Sequence, residues 1–238
     1  HPYSWSAIFN GYNKEAMRNC FFPNIYSYLE KQKLPENCIQ GAKVTHVWTQ
    51  DINISKQIAA STNIENVVCD LEDMRNEVDG ILLARDDAQN HLLHASPFLS
   101  FGIPIYIDKP IALSVKEANF LFSLEKYEGQ IFTCSALRFA SEMQLPKKEI
   151  EQLGAPVHAN CVVPKTWEKY AVHVIEPLLV LLGFPGYPVS VQAKSVNGAT
   201  SVTYELPGKH LVNVTATGKK VTPIRISLWG TKDYVELT

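Results

Sequence analysis

Two short strand-like runs, separated by one helix-length segment, limit the folds open to this chain. Residues 78–84 (VDGILLA) form the first run, and residues 103–107 (IPIYI) form the second, which ends on Asp-Lys-Pro. Strands that alternate with helices at this spacing are typical of a parallel, doubly wound sheet. Ligands bind at the carboxyl ends of such strands, and Lys109 lies at one of them.

Pro110 gives Lys109 a defined direction. The proline fixes its own φ and pushes the preceding lysine into an extended conformation. Two interpretations follow for Lys109: a salt bridge at a surface strand end, for example to Asp108, or a ligand-binding ammonium. The residue types alone favour the surface interpretation, because a short motif is only a hypothesis about a site.

The remaining patterns of the first half continue the alternation of helices and strands. Ser114 and Glu117 form a capping box, which predicts the start of a helix. Gly11 interrupts an otherwise helical pattern. We predict helices at 4–18, 24–33 (ended by Pro35), 55–61, 91–101 and 114–127, a short capped helix at 70–73, and strands at 42–49, 66–69, 78–84 and 103–107.

After residue 130 the pattern changes. Asn-Gly, Pro-Gly and Gly-Lys turns separate one strand-like run from the next over residues 188–238. Such turns between alternating runs are typical of an antiparallel sheet. We predict strands at 131–137 and 157–163 and helices at 142–153 and 168–182 before that sheet.

These patterns divide the chain into two domains, and the fold class is α/β. Residues 1–133 form a doubly wound, Rossmann-type parallel sheet of the kind that binds dinucleotides, and residues 134–238 form an α+β domain with a mostly antiparallel open sheet. A domain of the first kind opens with a strand and a Gly-x-Gly-x-x-Gly turn. This sequence begins at a predicted helix, so we expect the first strand and glycine turn to be missing from it.

Composition and charge exclude several classes of protein. Hydrophobic residues make up 46% and charged residues 19% of the chain, a globular balance. The net charge of −2 gives no electrostatic footprint for nucleic acid, and no apolar run reaches the roughly 20 residues of a membrane span. The cysteines are odd in number and widely spaced, so we predict neither disulfides nor a metal site but reduced thiols in a cytoplasmic protein.

A series of short motifs runs in order along most of the chain. They are Ala84, His91, Asp108-Lys109-Pro110, Arg138-Phe139, WEKYAVHVIE at 167–176 and Gly230-Thr231-Lys232. In this order the motifs resemble the Gfo/Idh/MocA family of nicotinamide-dependent oxidoreductases. The family has Glu-Lys-Pro where this chain has Asp-Lys-Pro, and the substitution keeps the carboxylate.

The resemblance implies an NAD(P)-dependent oxidoreductase that transfers hydride between nicotinamide and a hydroxyl or carbonyl of a sugar, polyol or sugar nucleotide. It also implies NAD or NADP as the cofactor and a homodimer or homotetramer. The Val/Leu/Thr alternation of residues 189–195, 201–206 and 210–217 is more apolar than a solvated sheet face needs. We therefore expect the outer face of the C-terminal sheet to be the oligomer interface.

The resemblance assigns catalysis to Lys109 and His173. Lys109 would hold the substrate hydroxyl and stabilise negative charge on its oxygen, and His173 would exchange protons. The family has an aspartate four residues before this histidine, where this chain has Lys169. Tyr170, Lys169 or Glu168 could take over the proton-handling role, and Tyr170 would do so beside a lysine, Lys169 or Lys109, that favours its phenolate.

Cofactor contacts are expected at the strand ends of the first domain. Thr49 stands where an acidic residue would hold the adenosine ribose of NAD, and it could equally contact the 2′-phosphate of NADP. Asp86 and Asp87 would repel a pyrophosphate, so we expect them to point into solvent. The predicted cofactor-binding residues are Ser4, Thr49, Ala84, Arg85, His91, Asp108 and Lys109.

Substrate contacts are expected from the second domain, at Arg138, Trp167, Lys169 and Glu176. Trp167 could stack on a sugar face, and Glu176, one turn after His173, could orient the imidazole. Two other functions stay open because a fold does not fix a function. They are a non-catalytic sugar- or dinucleotide-binding protein, which Lys169 favours, and a reductase of a non-sugar carbonyl or imine.

Overall fold

A computed structural model describes residues 1–34 and 36–238 of the chain. These residues divide into two compact units, His1–Phe132 (unit 1) and Thr133–Thr238 (unit 2). The sequence puts the domain boundary after residue 133, and the functions assigned to the two domains stay predictions. The predicted helix end at Pro35 lies outside the described residues.

Unit 1 alternates helices with short strands. Its strands pair only in parallel within the described residues, with His46 opposite Asn66, Ile81 opposite Ile105, and Ile105 opposite Ile131. This confirms the predicted parallel, Rossmann-type architecture. The elements are α1 (Pro2–Asn10), α2 (Lys14–Arg18), α3 (Pro23–Leu29), β1 (His46–Val47), α4 (Ile52–Thr62), β2 (Asn66–Val67), β3 (Ile81–Leu83), α5 (His91–Leu99), β4 (Ile105–Ile107), α6 (Val115–Ser123) and β5 (Ile131–Phe132), with 3₁₀ helices at Leu71–Met74 and Ala88–Asn90.

Two of the predicted helices of unit 1 can be compared with the structure at their ends. The helix predicted over 4–18 is two helices, because α1 ends before Gly11, whose φ is 69°. The side chain of Asn13 then caps α2 by accepting a hydrogen bond from the N–H of Ala16 at 3.0 Å. Ser114 caps α6 as predicted, by accepting from the N–H of Glu117 at 3.2 Å.

The hydrophobic interior of unit 1 contains two main clusters. Tyr3 of α1 and Ile58 of α4 are fully buried in the first. Ile105 and Ile107 of β4 lie in the second, with Leu121 of α6. Burying each of these side chains contributes about 1.5–3 kcal/mol. The parallel strands are therefore fixed between helices, and their carboxyl ends have defined positions.

Unit 2 is built around one six-stranded sheet with the order β11-β10-β6-β9-β8-β7. Its strand pairs are antiparallel except for β6 and β9, which run parallel with His158 opposite Leu211. The predicted α+β fold with a mostly antiparallel sheet is confirmed. The elements are α7 (Lys147–Leu153), β6 (Pro156–Val163), α8 (Trp167–Tyr170), α9 (Val172–Leu181), β7 (Ser190–Val196), β8 (Ala199–Leu206), β9 (His210–Ala216), β10 (Arg225–Gly230) and β11 (Tyr234–Leu237), with 3₁₀ helices at Ala136–Phe139 and Ser141–Met143.

The single helix predicted over 168–182 is two helices, α8 and α9, which meet at the buried Ala171. Val174 and Leu178 of α9 are fully buried against the inner face of the sheet. This packing fixes the rotation of α9 about its axis. The side chains of His173 and Glu176 are half-buried on the same helix.

The strand predicted over 131–137 is also shorter than expected. Pairing ends at Phe132, and the chain enters the 3₁₀ helix Ala136–Phe139. Ser135 causes this change, because its Oγ accepts a hydrogen bond from the N–H of Leu137 at 3.2 Å and caps the new helix.

The apolar alternation that predicted an interface on the outer face of the unit 2 sheet comes largely from side chains that point to the core. Val202 of β8 and Val212 and Val214 of β9 are buried in the core, whereas Leu211 of β9 is exposed. On the opposite face Asn213 donates to Ser201 and Thr203 at 3.0 and 2.8 Å. The apolar residues of the alternating pattern thus mainly form the core of unit 2. The oligomeric state stays a prediction.

In the described part of the chain no helix is long and apolar enough to cross a membrane. All five cysteines are free thiols, and Cys20, Cys134 and Cys161 are buried.

Candidate functional site

Lys109 and Asp108 lie directly after β4, at the carboxyl edge of the parallel sheet. The N–H of Asp108 donates to the carbonyl of Leu83 at 3.1 Å, which ties this end of β4 to β3. Oδ1 of Asp108 accepts from the N–H of Lys109 at 2.9 Å and lies 3.7 Å from Nζ. Both side chains are mostly covered, with exposed fractions of 18% for Lys109 and 13% for Asp108. The lysine is therefore held beside a carboxylate that does not come within hydrogen-bond distance of its ammonium.

Arg85 and Asp87, in the loop after β3, form a closed pair. Nε of Arg85 donates to Oδ1 of Asp87 at 2.8 Å, and Nη2 donates to Oδ2. The hydrogen bonds from Arg85, helped by one from Asn90 and opposed by burial, lower the pKa of Asp87 to about 2. The prediction that Asp87 points into solvent is wrong, because a paired guanidinium covers it. A cofactor contact by Arg85 would use the N–H donors that the pair with Asp87 leaves over.

His91 is fully buried at the start of α5. Its Nδ1 lies 3.0 Å from the carbonyl oxygen of Ile111, and its Nε2 lies 3.1 Å from that of Arg85. The imidazole thus joins the loop after β3 to the loop after β4. These contacts are structural, and the predicted cofactor contact of His91 stays a prediction.

The predicted adenosine end of the cofactor site lies after β1. The hydroxyl of Thr49 donates to the carbonyl of Asp51 at 2.7 Å and lies 2.8 Å from Oγ of Ser55. Oδ1 of Asp51 caps α4 by accepting from the N–H of Asn53 at 2.8 Å. Thr49 is therefore used within its own loop, and the exposed carboxylate of Asp51 is the acidic group at this strand end.

Ser4 and Ala84 complete the predicted cofactor set. The hydroxyl of Ser4 donates to the carbonyl of His1 at 3.0 Å within the first turn of α1. Ala84 follows β3, and its N–H donates to the carbonyl of Leu82 at 3.1 Å. Both side chains are small, so the backbone at these two points can approach a ligand closely.

Unit 1 fits a bound dinucleotide in three respects. The first turn of α1 lies beside β4, since the rings of Trp5 and Tyr106 are 5.1 Å apart, and a helix start next to a strand end is where a pyrophosphate binds. Arg85 compensates the charge of Asp87, so this carboxylate does not repel phosphates. Lys109 lies at the carboxyl end of β4, where it could reach the reacting end of such a ligand.

Ser135 is the centre of a second group of polar side chains, in unit 2. Its Oγ lies 2.7 Å from Nδ1 of His173, and its N–H donates to Oε2 of Glu176 at 2.7 Å. Ser135 is fully buried. The sequence prediction missed this residue; the signal that could have found it is a serine placed to cap the short helix that follows.

Glu176 is held by the backbone rather than by the imidazole. Burial raises the pKa of its carboxyl group, although the N–H of Ser135 and the charge of Arg138 lower it. Ser135 makes the contact with Nδ1 of His173, and the predicted orienting role of Glu176 stays a prediction. Glu176 contacts the residue next to the imidazole, because its carboxylate accepts a hydrogen bond from the backbone N–H of Ser135.

Tyr170 and Lys165 form a second pair in this group. Nζ of Lys165 donates to the hydroxyl of Tyr170 at 2.6 Å and lies 4.4 Å from the centre of its ring. The rings of Tyr170 and His173 meet edge to face, with centres 4.9 Å apart. The prediction named Lys169 or Lys109 as the lysine beside this phenol; the lysine in contact with it is Lys165, and Lys169 has an exposed side chain.

The other predicted substrate contacts lie on the same elements. The guanidinium of Arg138 is 5.5 Å from the ring centres of Phe139 and Phe184. Trp167 is half-buried at the start of α8 and forms part of the wall of an apolar cavity of about 460 Å³. Among the residues that the structure describes, no group of His, Cys, Asp and Glu side chains is arranged to hold a metal ion.

Comparison with known proteins identifies the class of protein. Residues 26–135 match the family described as "Oxidoreductase family, NAD-binding Rossmann fold". The parallel sheet with Lys109 at its carboxyl edge therefore belongs to an NAD-binding oxidoreductase. The matched family is Gfo/Idh/MocA, and the match covers just under half of the chain. The predicted family, its nicotinamide cofactor and the enzyme class are confirmed, whereas no curated protein matches the chain.

Solved structures of low sequence identity share the fold. Apo scyllo-inositol dehydrogenase from Lactobacillus casei has a TM-score of 0.73 at 15% identity, over 84% of this chain and 68% of that one. Myo-inositol 2-dehydrogenase from Lactobacillus plantarum has a TM-score of 0.73 at 13% identity, over 84% and 70%. UDP-N-acetylglucosamine 3-dehydrogenase from Acidithiobacillus ferrooxidans has a TM-score of 0.66 at 17% identity, over 79% and 66%.

Proposed function

We propose that this protein transfers hydride between a nicotinamide dinucleotide and a hydroxyl or carbonyl carbon of a sugar, polyol or sugar nucleotide. The observation that carries the proposal is the covered Lys109 at the carboxyl end of β4, inside the segment that matches the oxidoreductase family. The inositol and sugar-nucleotide dehydrogenases with the same fold support this class of substrate.

Lys109 binds the reacting oxygen of the substrate. The nicotinamide, when bound, supplies or accepts the hydride. The ammonium of Lys109 donates a hydrogen bond to the substrate oxygen and stabilises the negative charge that develops on it. Asp108 limits the movement of this lysine, because its Oδ1 lies 3.7 Å from Nζ.

His173 exchanges the proton of the substrate oxygen. Oγ of Ser135 already accepts from the N–H of Leu137, so its own O–H can donate to Nδ1 of His173 at 2.7 Å. A neutral imidazole that accepts at Nδ1 carries its proton on Nε2. Ser135 would thereby select the ring form that gives a proton from Nε2 during reduction of a carbonyl.

Arg138, Trp167 and Lys169 complete the proposed substrate contacts. Trp167 offers an aromatic face for a sugar ring, and the two cations offer donors to hydroxyl or phosphate oxygens. Thr49 and Asp51 lie at the proposed adenosine end. The carboxylate of Asp51 would favour a free 2′-hydroxyl, as in NAD, over a 2′-phosphate, because like charges repel.

The test begins with cofactor binding and continues to turnover. NADH and NADPH are titrated into the full chain while nicotinamide fluorescence is followed, and the preferred cofactor is then supplied with a panel of inositols, sugars and UDP-sugars. The panel also includes simple carbonyl and imine substrates. We expect fluorescence enhancement and turnover of at least one polyol or sugar; turnover of simple carbonyls or imines alone would refute the proposed substrate class.

A non-catalytic binding protein is the second candidate function. The observation in its favour is Lys169, which stands four residues before His173 where the family has an aspartate. A lysine cannot act as that carboxylate base. Fluorescence enhancement by NADH or NADPH without turnover of any substrate in the panel would favour this second function over the first.

A further inference from the structure

We propose that Lys165 is a positioning residue of the proposed active site and that it directs the proton of Tyr170 toward the substrate. The inference rests on the proposed function, since it assigns Tyr170 a hydrogen-bond donor role in that reaction. It adds a residue that lies outside the family motifs of the sequence. It also replaces the predicted lysine partner of Tyr170 with one that the structure holds in place.

The backbone of Lys165 has an unusual conformation. Its φ is 60°, in the left-handed region that side chains other than glycine seldom adopt. Such conformations cost about 1–3 kcal/mol and persist where the surroundings impose them. Here the carbonyl of Lys165 accepts from the N–H of Gly218 at 2.9 Å, and Val163, two residues earlier, accepts from the N–H of Thr217 at 2.9 Å.

Gly218 makes this arrangement specific. A Cβ at this position would lie 2.3 Å from the carbonyl oxygen of Gly198, a contact that cannot be relieved without moving the backbone of the turn between β7 and β8. Only glycine therefore lets the segment after β9, which carries the bridge to Lys165, pack this closely against the turn at Gly198. The end of β6, the segment after β9 and the turn at Gly198 thus together hold Lys165 in the conformation that directs its side chain to Tyr170.

The side chain of Lys165 makes two contacts with one partner. Nζ donates to the Tyr170 hydroxyl at 2.6 Å and lies 4.4 Å from the ring centre. Lys165 is otherwise an exposed residue, and ordering a lysine side chain costs about 1.5–2 kcal/mol of conformational entropy. The two contacts together offset this cost, so the ammonium has a fixed place on the phenol.

The direction of the Tyr170 proton follows from the chemistry of the ammonium. A lysine ammonium has three donors and no acceptor, so the phenol oxygen can only accept from it. The O–H of Tyr170 must then point to another group. The ring of Tyr170 lies edge to face with that of His173. The phenol and the proposed proton-exchanging imidazole therefore lie on the same side of helices α8 and α9. A substrate oxygen there would receive a hydrogen bond from Tyr170.

A purely structural role for Lys165 makes different predictions. If the pair only anchors the loop before α8 to the helix, removing the ammonium should lower the stability of unit 2 and leave the reaction unchanged. If Lys165 positions the proton, removing the ammonium should slow turnover even where the fold and cofactor binding are intact. The two roles can therefore be separated by kinetics with matched variants.

The main variant is Lys165→Met, which keeps the length of the side chain and removes the donors. We expect kcat to fall by about tenfold to a hundredfold, with NADH binding unchanged. Lys165→Arg restores a donor and should recover most of the loss. Lys209→Met is the matched control, because Lys209 is also an exposed lysine with a positive φ, 64°, and should behave as the unchanged protein does.

A double-mutant cycle tests whether Lys165 acts through Tyr170. In a Tyr170→Phe background, Lys165→Met should cause no further loss of kcat. Independent losses that multiply, or a Lys165→Met variant with unchanged kcat, would overturn the proposal. A loss of kcat that Lys165→Arg does not recover would also overturn it.

A second measurement keeps failure of this inference distinct from failure of the proposed function. The ¹³C NMR signal of Tyr170 Cζ, assigned with Tyr170→Phe in tyrosine-labelled full chain, should move in Lys165→Met and stay in place in Lys209→Met. A signal that does not move overturns the Lys165 contact whatever the enzyme does. A signal that moves in a protein without any turnover would refute the proposed function and the positioning role, while the contact itself would stand.

Discussion

Oγ of Ser135 lies 2.7 Å from Nδ1 of His173. The same residue holds Glu176 through its backbone N–H, so one serine at the start of a 3₁₀ helix fixes two side chains of α9. Ser135 is fully buried, and water cannot easily replace its hydroxyl. The orientation of the imidazole is therefore set from outside its own helix, by the segment that follows β5.

Ser135→Ala should lower turnover and change its pH dependence. The variant keeps the N–H that binds Glu176 but removes the partner of Nδ1, so both ring forms of His173 become available. We expect a loss of about tenfold in kcat, a shifted pH–rate profile, and a loss of about 1 kcal/mol in the free energy of unfolding.

Ser141→Ala is the control for this change. Ser141 begins the neighbouring 3₁₀ helix, and its exposed hydroxyl contacts the side chain of Glu142. It should leave the pH–rate profile as it is. An unaltered profile in Ser135→Ala as well would remove Ser135 from the proposed mechanism.

Lys109→Ala should abolish most of the turnover. The lost ammonium acts mainly on charge that develops during the reaction, so the expected decrease is on the order of 10²–10³ in kcat, with little change in thermal stability. Lys116→Ala, an exposed lysine of α6, is the control. Wild-type turnover of a proven substrate by Lys109→Ala would show that the lysine is a structural residue.

The pair of Arg85 and Asp87 should make unit 1 sensitive to acid. The folded pKa of Asp87 is about 2, below the usual value of about 3.9 for an unfolded aspartate. A lowered pKa contributes stability that is present above the unfolded pKa and is lost as the pH falls through the folded pKa. The contribution should therefore disappear between about pH 4 and pH 2.

Asp87→Asn removes this titration and should flatten the pH dependence of unfolding in the same range. Urea unfolding at pH 2, 3, 4 and 7 measures the effect. Asp79→Asn is a control at an exposed aspartate of the same unit. Equal slopes for Asp87→Asn and the unchanged protein below pH 4 would contradict the stabilising role of the pair.

The sequence predicted the architecture well where local chemistry decides it. Ser114 caps its helix as expected, and the Asn197-Gly198 turn joins β7 to β8 with both residues at positive φ, as a two-residue hairpin requires. The Lys-Pro at the end of β4 lies where the alternation of strands and helices put it. In each case a few neighbouring residues determine the conformation.

The contacts of the second unit could not be predicted in the same way. Ala171 gives no local signal of the break between α8 and α9, because neither glycine nor proline is present at that point. Lys165 contacts Tyr170 from a backbone conformation with a positive φ, and its carbonyl is paired with Gly218, more than 50 residues later in the chain. These contacts depend on pairing between distant parts of the chain, which residue types and their spacing in the sequence do not predict.

Gly218→Ala tests this long-range dependence directly. The new Cβ would meet the carbonyl oxygen of Gly198 at 2.3 Å and would also sit at a φ of 68°. We expect the free energy of unfolding to fall by about 3 kcal/mol or more, measured from the urea midpoint at constant m. Gly218→Ala should in addition weaken the bridge to Lys165 and slow turnover as Lys165→Met does.

Gly183→Ala is the control for the glycine change, because Gly183 has a φ of 70° but no atom lies within 4 Å of the position that its Cβ would take. Strain alone should cost this variant about 1 kcal/mol, and its turnover should match that of the unchanged protein. The difference between the two variants therefore isolates the close approach of Gly218 to Gly198. Equal effects of the two changes on stability and turnover would mean that this approach does not hold Lys165 on Tyr170.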